Sequence, residues 1–204
     1  MKMNKKIAQD LLYIKAVQIN TTNYFTWTSG LKSPIYCDNR LTMSYPHVRQ
    51  NITKAFIQQL QTMDEKPDVI AGCATAGIPH AAWLADELNL PMVYVRSKPK
   101  EHGKGNQIEG YVEKGDRVIV IEDLISTGGS SIAAAQALQE EGAHVTHVLA
   151  IFTYGLEKAK QNFQQAKLQC HTITTFDDVL DVLSRDAKIS STEKQTLKTW
   201  RHKL

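Results

Sequence analysis

Residues 117–131, RVIVIEDLISTGGSS, constrain the fold of this chain more than any other stretch. Val118, Ile119, Val120 and Ile121 form an unbroken β-branched run, short enough for a strand and too apolar to leave a face in water. Two carboxylates follow, Glu122 and Asp123, and then the small residues Ser126, Thr127, Gly128, Gly129, Ser130 and Ser131. A helix-forming sequence covers 130–141 and stops at Gly142, where a helix terminator belongs. Glycines let the backbone approach an anion closely, and the first N–H groups of a helix are unpaired and carry its positive dipole end. The carboxylates can accept hydrogen bonds from sugar hydroxyls or orient a metal-bound polyphosphate. A phosphate cup beside two carboxylates suits a phosphorylated sugar. An ordinary strand-to-helix turn needs only a capping serine; the acidic pair is what goes beyond it.

The rest of the chain is compatible with such a site and excludes several others. A length of 204 residues fits one α/β domain with a small appendage. A net charge of +3, with no basic cluster interleaved with aromatics, gives no footprint for nucleic acid. Cys37, Cys73 and Cys170 have no metal-ligand spacing, and their odd count and wide separation predict reduced thiols in the cytoplasm. They are expected to be small buried hydrophobes. The basic start MKMNKK precedes a segment carrying Asp10 and Lys15, so no clean signal-peptide core follows. The longest uncharged run, 69–85, is broken by Gly72, Gly77 and Pro79, and reads as strand, loop and helix rather than a membrane span.

In chain order, the periodicity predicts a helix over 4–17, then strand-like alternation around a turn at Ser29 and Gly30, with Ser33 and Pro34 after it. A helix over 46–63 places Val48, Ile52, Phe56 and Leu60 on one core-facing stripe. A buried strand at 69–71 leads into a second small-residue loop, 72–77, which is another anion candidate before a helix over 78–88. A strand at 92–95 is followed by 96–105, RSKPKEHGKG, rich in charge and glycine and predicted to be mobile. Cations beside glycine hinges suit a lid that closes on a polyphosphate; composition alone also fits a solvated loop. Residues 107–112 should pair with a neighbouring strand. Strands at 144–152 and 168–174, helices at 156–165 and two beyond Phe176 complete the pattern. His144 and His147, three apart in a strand, are predicted to lie on opposite faces and not to share a metal. Trp200 reads as a packing anchor. Strands alternating with helices imply a parallel sheet covered on both faces, with ligands at the carboxyl edge.

The segment IEDLISTGGSS resembles the phosphoribosyl-pyrophosphate (PRPP) signature of type I phosphoribosyltransferases. Two other segments make the chain similar to the orotate phosphoribosyltransferases of that group. One is the amino-terminal hood pattern, kept as Ser29-Gly30 and Ser33-Pro34 with Tyr36 and Cys37; Thr28 stands where the family has a lysine, and Lys32 is close by. The other is the catalytic loop, kept through Arg96, Lys100, His102 and Gly103, with Ser97 replacing a lysine and Lys98 one place on. Some relatives also carry a lysine at the Ala76 position and an orotate-binding arginine near Tyr154, and neither is present.

The resemblance implies a type I phosphoribosyltransferase fold over 1–204, an α/β domain with a central, mostly parallel sheet flanked by helices and a small hood over about 1–43. The implied reaction joins orotate and PRPP into orotidine 5′-monophosphate and pyrophosphate, a step of pyrimidine nucleotide synthesis, with Mg²⁺ carried by PRPP rather than by protein ligands. Lys100, His102 and Asp123 would be catalytic. PRPP would be held by Arg96, Lys98, Lys100, His102, Glu122, Asp123, Leu124, Ile125, Ser126, Thr127, Gly128, Gly129 and Ser130, with Ser126 also serving orotate. In the family the lid reaches a neighbouring subunit's site, which implies a homodimer with shared sites, in the cytoplasm, without nucleic acid or membrane. Two alternatives stay open at this level: a phosphoribosyltransferase for another base, and a PRPP-binding regulator without turnover, suggested by the missing cations at Thr28, Ala76 and Ser97. The reactivity of Cys37 and Cys73 is open too.

Overall fold

The computed structural model describes residues 2–26, 30, 32–98 and 107–203. Its helices are α1 (Met3–Tyr13), α2 (Pro46–Gln61), α3 (Gly77–Leu88), α4 (Gly129–Glu140), α5 (Glu157–Gln165), α6 (Phe176–Arg185) and α7 (Ser191–His202). The strands are β1 (Val17–Ile19), β2 (Phe25–Thr26), β3 (Lys32–Ser33), β4 (Ile35–Cys37), β5 (Val69–Cys73), β6 (Met92–Val95), β7 (Ile108–Glu109), β8 (Arg117–Ile125), β9 (His144–Thr153) and β10 (Gln169–Thr175). A 3-10 turn covers Asn39–Ser44.

Six strands form the main sheet in the order β10-β9-β8-β5-β6-β7. All neighbours are parallel except β6 and β7. The apolar run of 118–121 therefore occupies an interior strand, with a parallel neighbour on each side. Two apolar layers cover the sheet. Ile7, Ile52, Phe56, Leu84, Phe176 and Leu180 belong to one; Ala134, Leu138, Ala159 and Phe163 belong to the other. Phe56, Phe152 and Phe176 are fully buried, each contributing roughly 1.5–3 kcal/mol by removal from water.

Local chemistry sets the ends. Asn89, left-handed at φ 51°, terminates α3. Reciprocal capping boxes start α6 (Thr175 with Asp178) and α7 (Ser190 with Glu193). Pro46 opens α2.

Several sequence expectations need correction. The helix expected over 4–17 ends at Tyr13. Lys15 is left-handed at φ 59°, and 17–19 instead pair antiparallel with β4, a ladder not foreseen. The helix expected to reach 63 stops at Gln61. Gly72 and Cys73 belong to β5, pairing with Tyr94 and Val95, so the second loop begins at Ala74. The central strand runs on through the carboxylates to Ile125, because Glu122, Leu124 and Ile125 still find partners on the longer β9. A register shift at Val118/Ile119 makes Val145 and Val148, three apart, join the same core layer. Alternation consequently does not separate His144 from His147, and His147 stacks on His171 at 5.4 Å. The described residues contain no group of three or more His, Cys, Asp or Glu able to hold a metal. Trp200 does pack on Phe176, at 6.4 Å between rings.

Candidate active site

The carboxyl ends of β5 and β8 are neighbours, so the loop after each faces the same space. A cavity of about 400 Å³ lies there. Ala74, Thr75 and Ala76 line it from the loop after β5, Glu122, Asp123 and Leu124 from the end of β8, Ser130 from the start of α4, and Cys37, Asp38 and Arg40 from the chain around β4. Close backbone approach makes this possible. A Cβ on Gly77 would stand 2.3 Å from the Ile121 carbonyl oxygen, so only glycine lets the start of α3 lie this near β8.

The acidic pair is shielded from water and in mutual contact. Glu122 is 7% exposed and accepts the Asp123 N–H at 2.9 Å. Burial, followed by the charge of Asp123, pushes its carboxyl up to about 8. Burial raises Asp123 as well. The thiol of Cys73 is driven up by burial and by Glu122, and that of Cys37 by burial, Asp123 and Asp38. Both shifts favour the thiol over the thiolate; Cys73 is buried and Cys37 half-buried. Burial likewise raises the Tyr154 phenol, which senses Cys37 and Asp123.

The phosphate-type loop is braced from behind by α5. Asn162 Nδ2 donates to the Thr127 carbonyl at 2.9 Å, and the Ser131 hydroxyl to that of Gly128 at 3.1 Å. Gly128 is at φ 82°, and a Cβ there would meet the Phe163 ring at 2.6 Å. This fold points the loop and the unpaired N–H groups of α4 outward, with Thr127, Gly129 and Ser130 exposed.

Not every predicted residue meets in the cavity. Asp123, Glu122, Leu124 and Ser130 line it, whereas Ser126, Thr127, Gly128 and Gly129 lie between them in the chain but outside its lining. Ile125 turns away: it is 2% exposed, packs in the core layer under α4 and α5, and its carbonyl accepts the Thr153 hydroxyl. Arg96 closes the base of its loop, its N–H donating to the Gln107 carbonyl at 2.9 Å and its guanidinium 3.8 Å from Glu109. Lys98 is exposed and outside the cavity lining. Lys100, His102, Thr28 and Ser29 lie outside the described residues. Lys32, offered as a substitute charge, donates to the Thr26 hydroxyl at 2.7 Å.

The sequence reading missed Asp38, Asn39 and Arg40. Asp38 grips Arg40 with both oxygens, at 2.6 and 2.8 Å. Asn39, 1% exposed, donates to the Asp123 carbonyl at 2.6 Å. A DNR run directly after an SP-aromatic segment was the available signal, but nothing local to it shows that it reaches a strand 84 positions on.

A family model described as "Phosphoribosyl transferase domain" matches residues 44–182. An orotate phosphoribosyltransferase of Oceanobacillus iheyensis is 64% identical over 202 residues, covering 99% of this chain and 100% of the relative. One of Fusobacterium nucleatum is 53% identical over 204 residues, covering 99% and 97%. Among solved structures, the orotate phosphoribosyltransferase of Aeropyrum pernix superposes with a TM-score of 0.75 at 27% identity, covering 90% of this chain and 99% of that one. The family model spans both loops of the cavity, and the relatives extend the match through the segment that supplies Asp38 to Arg40. The chain belongs to the orotate phosphoribosyltransferases, within the phosphoribosyl transferase family.

Proposed function

We propose that the chain transfers the ribose 5-phosphate of PRPP to orotate, forming orotidine 5′-monophosphate and releasing pyrophosphate. The observation that carries this reading is the cavity in which two strand-end loops meet a buried acidic pair. The loop from Ser126 to Ser130 takes the 5-phosphate on its backbone N–H groups and hydroxyls. Glu122 and Asp123 take the ribose hydroxyls, accepting their hydrogen bonds. Ala74 to Ala76 face the diphosphate with backbone donors, which serve without the lysine that some relatives place at Ala76.

Breaking the anomeric C–O bond leaves positive charge on the ribose ring and negative charge on pyrophosphate while the pyrimidine nitrogen forms the new bond. The carboxylates stabilise the first charge, and the cations Arg96, Lys98, Lys100 and His102 the second. Lys100 is the main cationic catalyst, and His102 protonates or hydrogen-bonds the leaving group. Ser126 contacts orotate. A Mg²⁺ would arrive on PRPP, held by its oxygens and by water, with Glu122 and Asp123 beside it on the ribose hydroxyls rather than as direct ligands. When bound, Mg²⁺ neutralises charge developing on the diphosphate. Residues 1–204 act as one domain, with about 1–43 as a hood, in a cytoplasmic homodimer with shared sites.

The test is absorbance loss of orotate with purified protein, PRPP and Mg²⁺, run beside uracil, hypoxanthine and adenine. Orotate should disappear only in the complete mixture. Turnover of another base would overturn the substrate, and turnover of none would turn the chain into a PRPP-binding regulator.

A further inference from the structure

Orotate differs from uracil by one ring carboxylate, so a site that selects it must accommodate negative charge close to the reacting centre; this step rests on the function proposed above. The cavity is an unfavourable place for such a charge, because Asp38, Glu122 and Asp123 all line it. Arg40 is the one cation in its lining among the described residues. Ser126, the residue expected to serve the base, is a neutral hydroxyl.

The guanidinium of Arg40 is half occupied. It offers five N–H donors in a planar fork. Nε and Nη2 donate to the two oxygens of Asp38 at 2.6 and 2.8 Å, which uses the side-on face. The end-on face, formed by Nη1 and the second N–H of Nη2, has no bond to a described residue. That face matches a second carboxylate through two parallel N–H···O bonds.

Its position is also set in advance. Asp38 accepts the Arg40 backbone N–H at 3.2 Å, locking the turn that carries the side chain. Asn39 ties the same turn to the Asp123 carbonyl at 2.6 Å. The Thr42 hydroxyl donates to the Asn39 carbonyl at 2.5 Å and meets His80 Nε2 at 3.2 Å, joining the turn to α3. An arginine already paired and anchored loses less rotamer freedom on binding than a free one.

We propose that Arg40 reads the carboxylate of the base, pairing with it end-on while Asp38 fixes the orientation of the guanidinium. Arg40 is thus a specificity residue and takes no part in bond cleavage.

The experiment compares wild type with Arg40→Gln and Arg40→Lys, measuring KM for orotate, KM for PRPP and the ratio of kcat/KM for orotate against uracil. Arg40→Gln should raise the orotate KM roughly 10- to 100-fold, the range for losing charge-assisted hydrogen bonds. The orotate-to-uracil ratio should fall with it, and the PRPP KM should stay close to wild type. Arg40→Lys should recover only part, because an ammonium keeps the charge but not the fork. The side chain is 64% exposed, so the melting temperature should hold and report folded variants. A rise in PRPP KM at constant orotate KM would reassign Arg40 to the phosphates and overturn the proposal. Equal losses for orotate and uracil, or no change in either, would also overturn it. Failure of wild type to consume orotate would instead sink the proposed function itself.

Discussion

Replacing Gly77 by alanine tests the physical link between the packing of α3 and the chemistry beside it. The added Cβ would lie 2.3 Å from the Ile121 carbonyl oxygen, 3.2 Å from its carbon and 3.3 Å from Glu122 Cα. All three are backbone atoms, so no side chain can swing away. Ordinary contact begins at 3.4 Å, so the start of α3 or the strand must retreat by about 1 Å. Overpacking of this kind costs about 1–3 kcal/mol, and rigid backbone places it at the upper end. For a chain of this size that is a fall in Tm of roughly 6–12 °C. The same retreat moves the loop of Ala74 to Ala76 away from Glu122 and Asp123, and a misplacement near 1 Å costs about 100-fold in turnover. Thermal melts and steady-state kinetics on the folded protein give both numbers. Gly129→Ala is the stability control, since its Cβ would meet nothing within 4 Å. If Gly77→Ala melts like wild type and keeps its turnover, the claim that glycine at this position sets the cavity is wrong.

Three further outcomes follow from the site. Burial and the neighbouring Asp123 push the Glu122 carboxyl up to about 8 from an ordinary 4.5. Between those values the native state keeps a proton that the unfolded chain has lost, so stability falls as pH rises and the loss is complete above 8. His80 works the other way, lowered by burial to about 4 from 6.5, so its contribution rises with pH over that window. From pH 6.5 to 8 only Glu122 of these two acts, and Glu122→Gln should flatten the decline in Tm there; an unchanged slope would remove Glu122 as its source. Gly128→Ala forces a φ of 82° on alanine and drives a Cβ to 2.6 Å from Phe163, so KM for PRPP should rise about tenfold with that for orotate unaffected. Kinetics in which orotate KM moves instead would detach this loop from the phosphate. Lys100→Ala should lose about 100-fold or more in turnover with Tm unchanged, and mixing it with Asp123→Asn should restore activity through one intact shared site per dimer. No restoration on mixing would argue against shared sites.

Legibility in the sequence tracked how local the determining physics is. The buried run of 118–121 and the helix after the Ser-Gly loop depend on neighbours a few residues apart; the run lies inside β8, and the helix stands within a residue of its expected bounds. The strand at 92–95 and the helices starting near 46 and 77 follow from periodicity and caps in the same way. Errors arose where a distant partner decided the outcome. Residues 17–19 become strand only because Ile35 to Cys37 lie beside them. Glu122 to Ile125 stay in a strand only because β9 is long enough to pair with them. His144 and His147 escape simple alternation because a register shift, invisible in one strand alone, interrupts it.

By itself the sequence determined the alternation of strand and helix, the phosphate-type loop and the identity of the acidic pair, since these rest on hydrophobic period, glycine and charge within one segment. The tertiary structure decided which loops face one another, that Glu122 is buried, that Ile125 faces the core, and that Asp38, Asn39 and Arg40 belong to the site. Burial and long-range hydrogen bonds are properties of surfaces brought together across the chain. The bond from Asn39 to Asp123, spanning 84 positions, is one that no local pattern encodes.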